Sequence, residues 1–351
     1  MELQKAYNEK QNLVKAFAES RIGGRPENQD SYGWADTPSG YAMTVCDGMG
    51  GGPGGKTASS IAVREILAGI NEASKDEEKS NIIIKAIRRA NMAILEAGNE
   101  APALRGMGST ATVLLITPQS AFIAHVGDSR VYQLRGHKKI FRTFDHSMVF
   151  EMVAQKIITE EQARLSTQSN IITRALGIKP DVEVSVSEVP YEKGDRFLLC
   201  TDGIHGIMPE EELLKLATNR KRTLGAIVDD LATYVDNLGR SSGGGHDNLT
   251  LAFVETLNNS ILRPSMTKQA KLLIALLGIL VAISFAINMV QCNSKRNQSV
   301  PAVTGTDSTK IQQINDSILK IDSLINQTNM NPTLQKNLIQ TTLTNTKNLL
   351  K

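Results

Sequence analysis

The sequence predicts an α+β domain in which antiparallel β-sheet is flanked by helices. Apolar runs rich in β-formers recur along the first 257 residues, and Gly-rich turns bound several of them. Helical patterns of apolar residues lie between these runs. The elements do not alternate regularly as strand and helix, and the strands cluster in the middle of the domain as apparent hairpins. This order favours antiparallel pairing over a parallel sheet.

Each element is predicted from its own pattern of apolar residues. The strand-like runs are 41–46, 110–116, 121–126, 196–200 and 249–254. The helical patterns cover roughly 54–70, 80–97, 147–165 and 208–236. The expected domain therefore extends over residues 1–257.

Composition excludes several classes of protein. Hydrophobic residues make up 41% of the 351 residues and charged residues 21%, which is enough apolar material for a packed core. The net charge of +3 and the aromatic content of 4% do not favour a nucleic-acid binder. Cys46, Cys200 and Cys292 form no C-x-x-C pair, so neither a disulfide framework nor a zinc site is implied. The polar N-terminus, Met1 to Lys10, lacks the pattern of a signal peptide, and we expect the domain to stay in the cytosol.

A second region begins after a linker at 258–271. Residues 272–290 contain no charge, and at about 1.5 Å per residue such a helix would span the hydrocarbon core of roughly 30 Å. We predict a single transmembrane helix here, although a buried core helix is the alternative. Basic residues on the N-terminal side weakly favour a cytoplasmic N-terminus. Residues 291–351 would then form an extracytoplasmic tail.

The tail carries an apolar stripe at helical spacing. Its members are Ile311, Ile314, Ile318, Ile321 and Ile325. A short helical hairpin and a self-associating coil are both compatible with this pattern, because two heptads are too few to decide.

Five aspartates stand at the ends of apolar strand-like runs. They are Asp30, Asp47, Asp128, Asp202 and Asp247. A single Asp-Gly is usually only a tight turn. Five carboxylates that converge at strand ends would instead form an all-oxygen site, which Mg²⁺ and Mn²⁺ prefer.

These aspartates lie within a longer ordered series of motifs. The series is Gly24-Arg25-Pro26-Glu27-Asn28-Gln29-Asp30-Ser31, Val45-Cys46-Asp47-Gly48-Met49-Gly50-Gly51, Gly108-Ser109-Thr110-Ala111-Thr112, His125-Val126-Gly127-Asp128-Ser129-Arg130, Asp145-His146-Ser147, Thr173-Arg174-Ala175-Leu176-Gly177, Cys200-Thr201-Asp202-Gly203 and His246-Asp247-Asn248-Leu249-Thr250. It resembles the bacterial form of the type 2C metal-dependent protein phosphatases over roughly residues 12–257.

The resemblance implies a fold and a set of site residues. The fold would be an α-β-β-α sandwich of two stacked antiparallel sheets, with a flap at about 145–180. Two Mn²⁺ or Mg²⁺ ions would lie at one end of the sandwich, with a third, weaker ion in bacterial members. The implied ligands are Asp202 and Asp247 for the first ion, the carbonyl of Gly48 for the second, Asp47 for both of these ions as a bridge, and Asp128 for the third.

The remaining implied roles concern water and phosphate. Asp30 would hold metal-bound water, and Arg25 would bind the substrate phosphate, which its guanidinium fork matches. Hydroxide between two cations is available near neutral pH and can attack phosphorus directly. Met49 occupies a position where eukaryotic members often have a candidate acid, so the general acid is unassigned and a metal-bound water is our interpretation. For His146 and His246, structural packing is at least as good an explanation as catalysis.

The predicted function is hydrolysis of phosphoserine and phosphothreonine in proteins, opposing bacterial Ser/Thr kinases at the cytoplasmic membrane. One alternative is a partner-switching phosphatase that acts on an anti-sigma-factor antagonist. Another is a catalytically silent module that binds phosphoproteins. The retention of every matched carboxylate argues against the silent module.

Overall fold

The computed structural model describes residues 4–7, 13–50, 54–168 and 170–261. The strands are, in chain order, β1 (Gln4–Tyr7), β2 (Val14–Arg21), β3 (Ser31–Thr37), β4 (Gly40–Cys46), β5 (Gly48–Met49), β6 (Gly108–Ser109), β7 (Ala111–Ile116), β8 (Ala121–Val126), β9 (Arg130–Arg135), β10 (Lys138–Arg142), β11 (Ser185–Val189), β12 (Arg196–Cys200) and β13 (Leu249–Thr256). The helices are α1 (Gly54–Glu72), α2 (Lys79–Glu100), α3 (Met148–Ala154), α4 (Glu160–Arg164), α5 (Asp202–His205), α6 (Glu210–Ala217) and α7 (Leu224–Ser241).

The strands of the described region form two larger antiparallel sheets and a small ribbon. The first sheet has the order β1-β2-β13-β12-β9-β10, and the second has the order β11-β8-β7-β4-β3. Strands β5 and β6 pair with each other as the ribbon. Neighbouring strands pair antiparallel throughout both sheets. The predicted antiparallel α+β architecture is therefore confirmed.

Alternate side chains of the central strands divide between two apolar layers. In β4, Tyr41, Met43 and Val45 pack between the two sheets, whereas Ala42 and Cys46 pack against helices α1 and α2. This alternation follows from the two-residue period of a strand. Because both faces of β4, β7 and β8 are covered, every residue of these strands is buried.

A third apolar layer covers the opposite face of the first sheet. Leu251 and Phe253 of β13 pack there with Leu231 and Val235 of α7, while Ala252 points between the sheets. The order of layers is therefore helices, sheet, sheet, helices, as the resemblance implies.

Two helical predictions are wrong in detail. The pattern at 208–236 is not one helix but α6 and α7, because the segment between them is polar and Thr223 caps α7 by accepting a hydrogen bond from the amide of Ala226. The pattern at 147–165 likewise divides into the short helices α3 and α4. Thr159 and Gln162 form a capping box that starts the second of them.

Several predictions fall on the C-terminal part of the chain. Within the residues that the structure describes, no helix is long and apolar enough to cross a membrane. Residues 272–290 and the tail at 291–351 lie outside the described residues, so the transmembrane helix and the extracytoplasmic tail stay predictions.

Candidate active site

The strand register brings all five aspartates to one end of the sandwich. In the second sheet, Ser31 pairs with Cys46 and Ala111 pairs with Val126, so the residues just beyond these pairs share an edge. That edge carries Asp30, Asp47 and Asp128. In the first sheet, Cys200 pairs with Leu251, which places Asp202 and Asp247 beyond the corresponding strand ends.

Direct contacts tie the ends of the two sheets together. The hydroxyl of Thr201 in the first sheet donates to Oδ2 of Asp30 in the second, at 3.0 Å. Nε2 of His205 lies 3.1 Å from the backbone carbonyl of Asp128. These contacts bring Asp202, which follows Thr201, to the same end of the sandwich as the second-sheet aspartates.

A glycine permits the closest approach in this region. A Cβ atom on Gly48 would lie 2.0 Å from the carbonyl oxygen of Gly55 and 2.7 Å from that of Gln29. Only glycine therefore fits beside Asp47, and this explains the Asp-Gly pair better than turn chemistry does. The backbone of Asp47 is fixed on the other side, where its amide donates to Oγ1 of Thr110 at 2.9 Å.

The carboxylates raise one another's pKa. Burial raises the pKa of Asp47 well above its usual range, and repulsion from Asp30, Asp202 and Asp128 adds to the effect. Burial likewise raises the pKa of Asp128 well above its usual range, with a further contribution from Asp202. The pKa of Asp202 is raised by burial and by Asp247. Arg25 and Arg130 oppose these increases but do not cancel them, so the positive charge near the cluster compensates it only in part.

Asp30 is the most enclosed member of the cluster, with 2% of its surface exposed. Burial raises its pKa to about 7, and hydrogen bonds from Thr250 and Thr201 oppose the rise. Its Oδ1 is buried without a hydrogen-bond partner in the described part of the chain, as is Oδ1 of Asp202. Orphaned carboxylate oxygens beside mutually repelling acids are the donor set that a hard divalent cation satisfies.

The side chains do not, however, form a complete set of metal ligands in this structure. Among the described residues, no three His, Cys, Asp or Glu side chains come together closely enough to hold a metal ion between them. Asp247 is also bound to another residue, because its Oδ2 accepts a hydrogen bond from Nη2 of Arg25 at 2.9 Å. Its Oδ1 accepts a bond from the amide of Asn248. Asp247 would therefore have to exchange its arginine partner for a cation.

The loop that carries Arg25 and Asp30 is held by a residue that the sequence analysis did not single out. Asn248 accepts a hydrogen bond from the amide of Gln29 at 2.9 Å and donates to the carbonyls of Ile22 and Glu27 at 2.7 and 2.9 Å. Its position next to Asp247 in a motif was the available signal. Lys56 was also missed: its Nζ donates to the carbonyl of Asp30 at 2.8 Å.

The predicted flap is anchored beside Asp128. Nε and Nη2 of Arg130 donate to the carboxylate of Asp145 at 2.8 and 2.7 Å, and both side chains are buried. The guanidinium also lies 4.9 Å from the ring centre of Phe150 in α3. Removing one partner of such a buried pair costs about 3–5 kcal/mol.

The histidines of the motifs have structural partners. The ring of His146 stacks on His125 at 4.3 Å between centres, and its Nδ1 accepts a hydrogen bond from the amide of Gly127. Nε2 of His246 donates to Asp236 at 2.9 Å. These contacts favour packing and positioning roles for both residues.

Comparison with known proteins agrees with the fold and the motif series. Residues 19–247 match the family described as Protein phosphatase 2C. The serine/threonine phosphatase stp of Listeria monocytogenes serotype 4b is 34% identical over 235 residues, covering 66% of this chain and 91% of the relative.

Solved structures extend the likeness to three dimensions. The serine/threonine phosphatase Stp1 from Staphylococcus aureus superposes with a TM-score of 0.64 at 26% identity, covering 70% of this chain and 99% of the other. The catalytic domain of the protein phosphatase PstP in complex with 2 manganese ions superposes with a TM-score of 0.58 at 27% identity, with coverage of 70% and 99%. The predicted phosphatase function is thereby confirmed, and the chain belongs to the protein phosphatase 2C family of metal-dependent serine/threonine phosphatases.

Proposed function

We propose that this protein phosphatase works at the cytoplasmic face of a membrane, where it hydrolyses phosphoserine and phosphothreonine residues placed on proteins by Ser/Thr kinases. The observation that carries the chemistry is the convergence of Asp30, Asp47, Asp128 and Asp202, whose carboxylates raise one another's pKa at one end of the sandwich. Phosphate esters are anionic, so such a site attracts its substrate only after cations have reversed the local charge.

The chain's own residues suit a site with two divalent cations, and a third ion at Asp128. Asp47 would contribute to both ions, Asp202 and Asp247 to the first, and the carbonyl of Gly48 to the second. Bound Mn²⁺ or Mg²⁺ supplies positive charge at the phosphate and lowers the pKa of water toward neutrality.

Arg25 is suited to bind the phosphate. Its side chain is 50% exposed and is paired only with Asp247 among the described contacts of its guanidinium. The planar guanidinium of Arg25 can bind two oxygens of a phosphate monoester at once, whereas it binds only one carboxylate oxygen of Asp247. The substrate phosphate would therefore displace Asp247 from Arg25 and leave that carboxylate available to a cation.

Asp30 is suited to orient the attacking water. Its Oδ2 is held by the hydroxyl of Thr201, whereas its Oδ1 has no hydrogen-bond partner in the described region. A carboxylate fixed through one oxygen presents the other in a defined direction. Lys56, bound to the backbone carbonyl of Asp30, fixes the same residue from the helix α1 side.

The location rests on the sequence beyond the described residues. Residues 272–290 carry no charge over a length that matches a bilayer core. Kinase substrates are made where ATP is, and this puts the catalytic domain on the cytoplasmic side. The isoleucine stripe of the tail would then be free to pair with a second copy outside the membrane.

Metal-dependent turnover tests the proposed chemistry. The full chain, purified in detergent and stripped of metal, should hydrolyse p-nitrophenyl phosphate and phosphothreonine peptides only after Mn²⁺ or Mg²⁺ is added. Undiminished turnover in excess EDTA would refute the assignment of the aspartates. A phosphotyrosine peptide serves as the control for side-chain class.

A further inference from the structure

A cavity of about 540 Å³ opens beside the loop that carries Arg25. It lies at the root of that loop, where β2 ends, β3 begins and α7 passes. The residues of its wall that matter here are Glu19, Arg21, Gly23, Tyr32, Asp236 and Arg240. None of these residues belongs to the aspartate cluster, so the cavity needs its own explanation.

One wall of the cavity holds a carboxylate with an unused oxygen. Glu19 is 4% exposed, and its Oε1 accepts a hydrogen bond from Nε of Arg21 at 2.6 Å. Its Oε2 is buried and has no hydrogen-bond partner among the described residues. A buried acceptor without a donor is unfavourable, and a charged one more so. The wall therefore lacks a hydrogen-bond donor at this point.

The two arginines of the wall are already neutralised. Arg21 donates to Glu19 and, from Nη2, to Asp229 at 2.9 Å. Arg240 is paired with Asp236 at 3.0 Å, and its side chain is 68% exposed. The guanidiniums of Arg21 and Arg240 are thus paired with three carboxylates, those of Glu19, Asp229 and Asp236. A third cation would be accommodated better than an anion.

The cavity also suits the stem of a long side chain. Tyr32, which lies partly buried on β3, contributes an aromatic surface, and its ring stacks on Trp34 at 6.4 Å between centres. Lys and Arg side chains lay their methylene groups along such surfaces while the charged end seeks a carboxylate. A ligand with this shape would reach Glu19 past the tyrosine ring.

The position of the cavity links it to the phosphate site. Gly23 lines the cavity and lies two residues before Arg25, so their Cα atoms are at most about 7 Å apart. Asp236 of the wall is bound to His246, which precedes the candidate ligand Asp247. A peptide whose phosphate sits on Arg25 would therefore pass its neighbouring residues over the cavity mouth.

We propose that this cavity binds a lysine or arginine side chain that lies within a few residues of the phosphoresidue in the protein substrate. The inference rests on the proposed function, since it names the substrate class of the same site. Glu19 would be the specificity-determining residue, and its Oε2 would accept the bond from the basic side chain.

Peptide selectivity tests the proposal on the full chain with Mn²⁺. Phosphothreonine peptides carrying Lys, Ala or Glu at each of the three positions on either side are compared by kcat/KM. We expect a preference of about tenfold for Lys over Ala at one or two positions, the size of one charge-assisted hydrogen bond. Glu19→Gln, which replaces the acceptor with an amide of the same shape, should remove that preference. It should leave turnover of p-nitrophenyl phosphate unchanged, because that substrate has no flanking residues.

Two further variants separate recognition from support of the fold. Asp229→Asn removes the other partner of Arg21 but no part of the cavity wall, and it should keep the preference for Lys. Ile22→Lys adds a cation at a half-exposed position of the wall and should abolish the preference without touching Glu19. Equal kcat/KM for all peptides in the wild type, or a preference for Lys that survives both Glu19→Gln and Ile22→Lys, would overturn the inference. In both results the turnover of p-nitrophenyl phosphate with Mn²⁺ would still support the proposed function.

Discussion

Arg25 and Asp247 form an ion pair, with 2.9 Å between Nη2 and Oδ2, although one is the candidate phosphate ligand and the other a candidate metal ligand. Their side chains are 50% and 43% exposed, so the pair contributes little to stability. The pair instead affects binding. A cation bound to Asp247 would free Arg25 for phosphate, and a phosphate bound to Arg25 would free Asp247 for a cation. Metal and substrate should therefore favour each other's binding.

Replacing Arg25 tests its assignment as the phosphate contact. Arg25→Ala should raise KM for a phosphothreonine peptide about tenfold or more, with a smaller change in kcat, because the lost contact binds phosphate. Arg25→Lys should recover only part of the affinity, since an ammonium ion cannot bind two phosphate oxygens as a planar fork. Steady-state kinetics at saturating Mn²⁺ measure both constants.

Arg64→Ala is the matched control. Arg64 is 66% exposed and pairs with Glu65 on α1. Its replacement should leave KM unchanged. A normal KM in Arg25→Ala would contradict the assigned phosphate contact.

Asp47 should be the most sensitive of the aspartates. Asp47→Asn removes one negative charge from a carboxylate whose pKa Asp30, Asp202 and Asp128 all raise, so both metal binding and turnover should fall. Replacement of groups that merely support metal ligands costs about 10–100-fold, and loss of a ligand should cost at least the upper figure. Mn²⁺ titration by calorimetry and kcat at saturating metal measure the two effects.

A remote aspartate controls for charge alone. Asp181→Asn changes the same charge at a residue whose side chain is 90% exposed, and it should behave as wild type. Wild-type kcat in Asp47→Asn would show that the metal assignment is wrong.

The sequence predicted most of the buried strands and missed the partly exposed ones, and it also missed the buried strand β9, whose Arg130 and Gln133 interrupt the apolar pattern. Strands β8 and β12 are buried throughout and are apolar except for His125 and Arg196, because both of their faces are covered, and their bounds agree with the predicted runs 121–126 and 196–200. Strand β10 has an exposed first half with Lys138 and Lys139, and β11 is only partly buried. Neither shows a continuous apolar run, because solvent covers one side.

The candidate site, like the fold, was predictable from the sequence only in part. The motif order singled out Asp47, which directly follows an apolar run, and Asp202, which lies two residues after one, and their roles as metal ligands stay predictions. Contacts between distant segments were not predictable, because nothing local in the sequence encodes them. Thr201 and Asp30 are 171 positions apart, and Arg25 and Asp247 are 222 positions apart. The stacking of the two sheets brings the first pair together, and the pairing of β2 with β13 within the first sheet brings the second pair together.

His146 should make the fold sensitive to acid. Burial, together with nearby His125 and Arg174, lowers its pKa to about 3 from 6.5. The unfolded state therefore binds a proton that the folded state does not, and the free energy of unfolding falls as the pH drops from 6.5 toward 3. Above pH 6.5 this effect is absent.

His146→Asn isolates the contribution of this residue. The variant keeps an acceptor near the amide of Gly127 but cannot titrate. On acidification, the free energy of unfolding should decrease less in the variant than in wild type. The difference between the two slopes should reach up to about 1 kcal/mol per pH unit after solvent screening. Urea unfolding of the EDTA-treated proteins at pH 7, 6 and 5 measures the difference. His137→Asn is the control, and identical pH slopes for His146→Asn and wild type would contradict the prediction.

The chain should cross the membrane once, with residues 1–268 inside and 293–351 outside. Phosphoprotein substrates are made where ATP is, so the catalytic domain must face the cytosol. Residues 272–290 are long enough to span once, and a single span would place the tail on the opposite side of the membrane. Protease added to intact spheroplasts should therefore remove the tail and leave the phosphatase domain protected. Detergent should make both accessible, which controls for a protease-resistant fold. Protection of both ends, with release of the protein by high salt, would indicate a peripheral protein whose apolar helix is buried against another surface.

A matched variant with Leu280→Arg and Ser284→Arg places two charges in the middle of the span, where insertion becomes unfavourable by about 2.5–3.5 kcal/mol for each charge. It should shift the enzyme from the membrane fraction to the soluble fraction while p-nitrophenyl phosphate hydrolysis persists. Retention of this variant in the membrane after a high-salt wash would show that the attachment depends on another part of the chain.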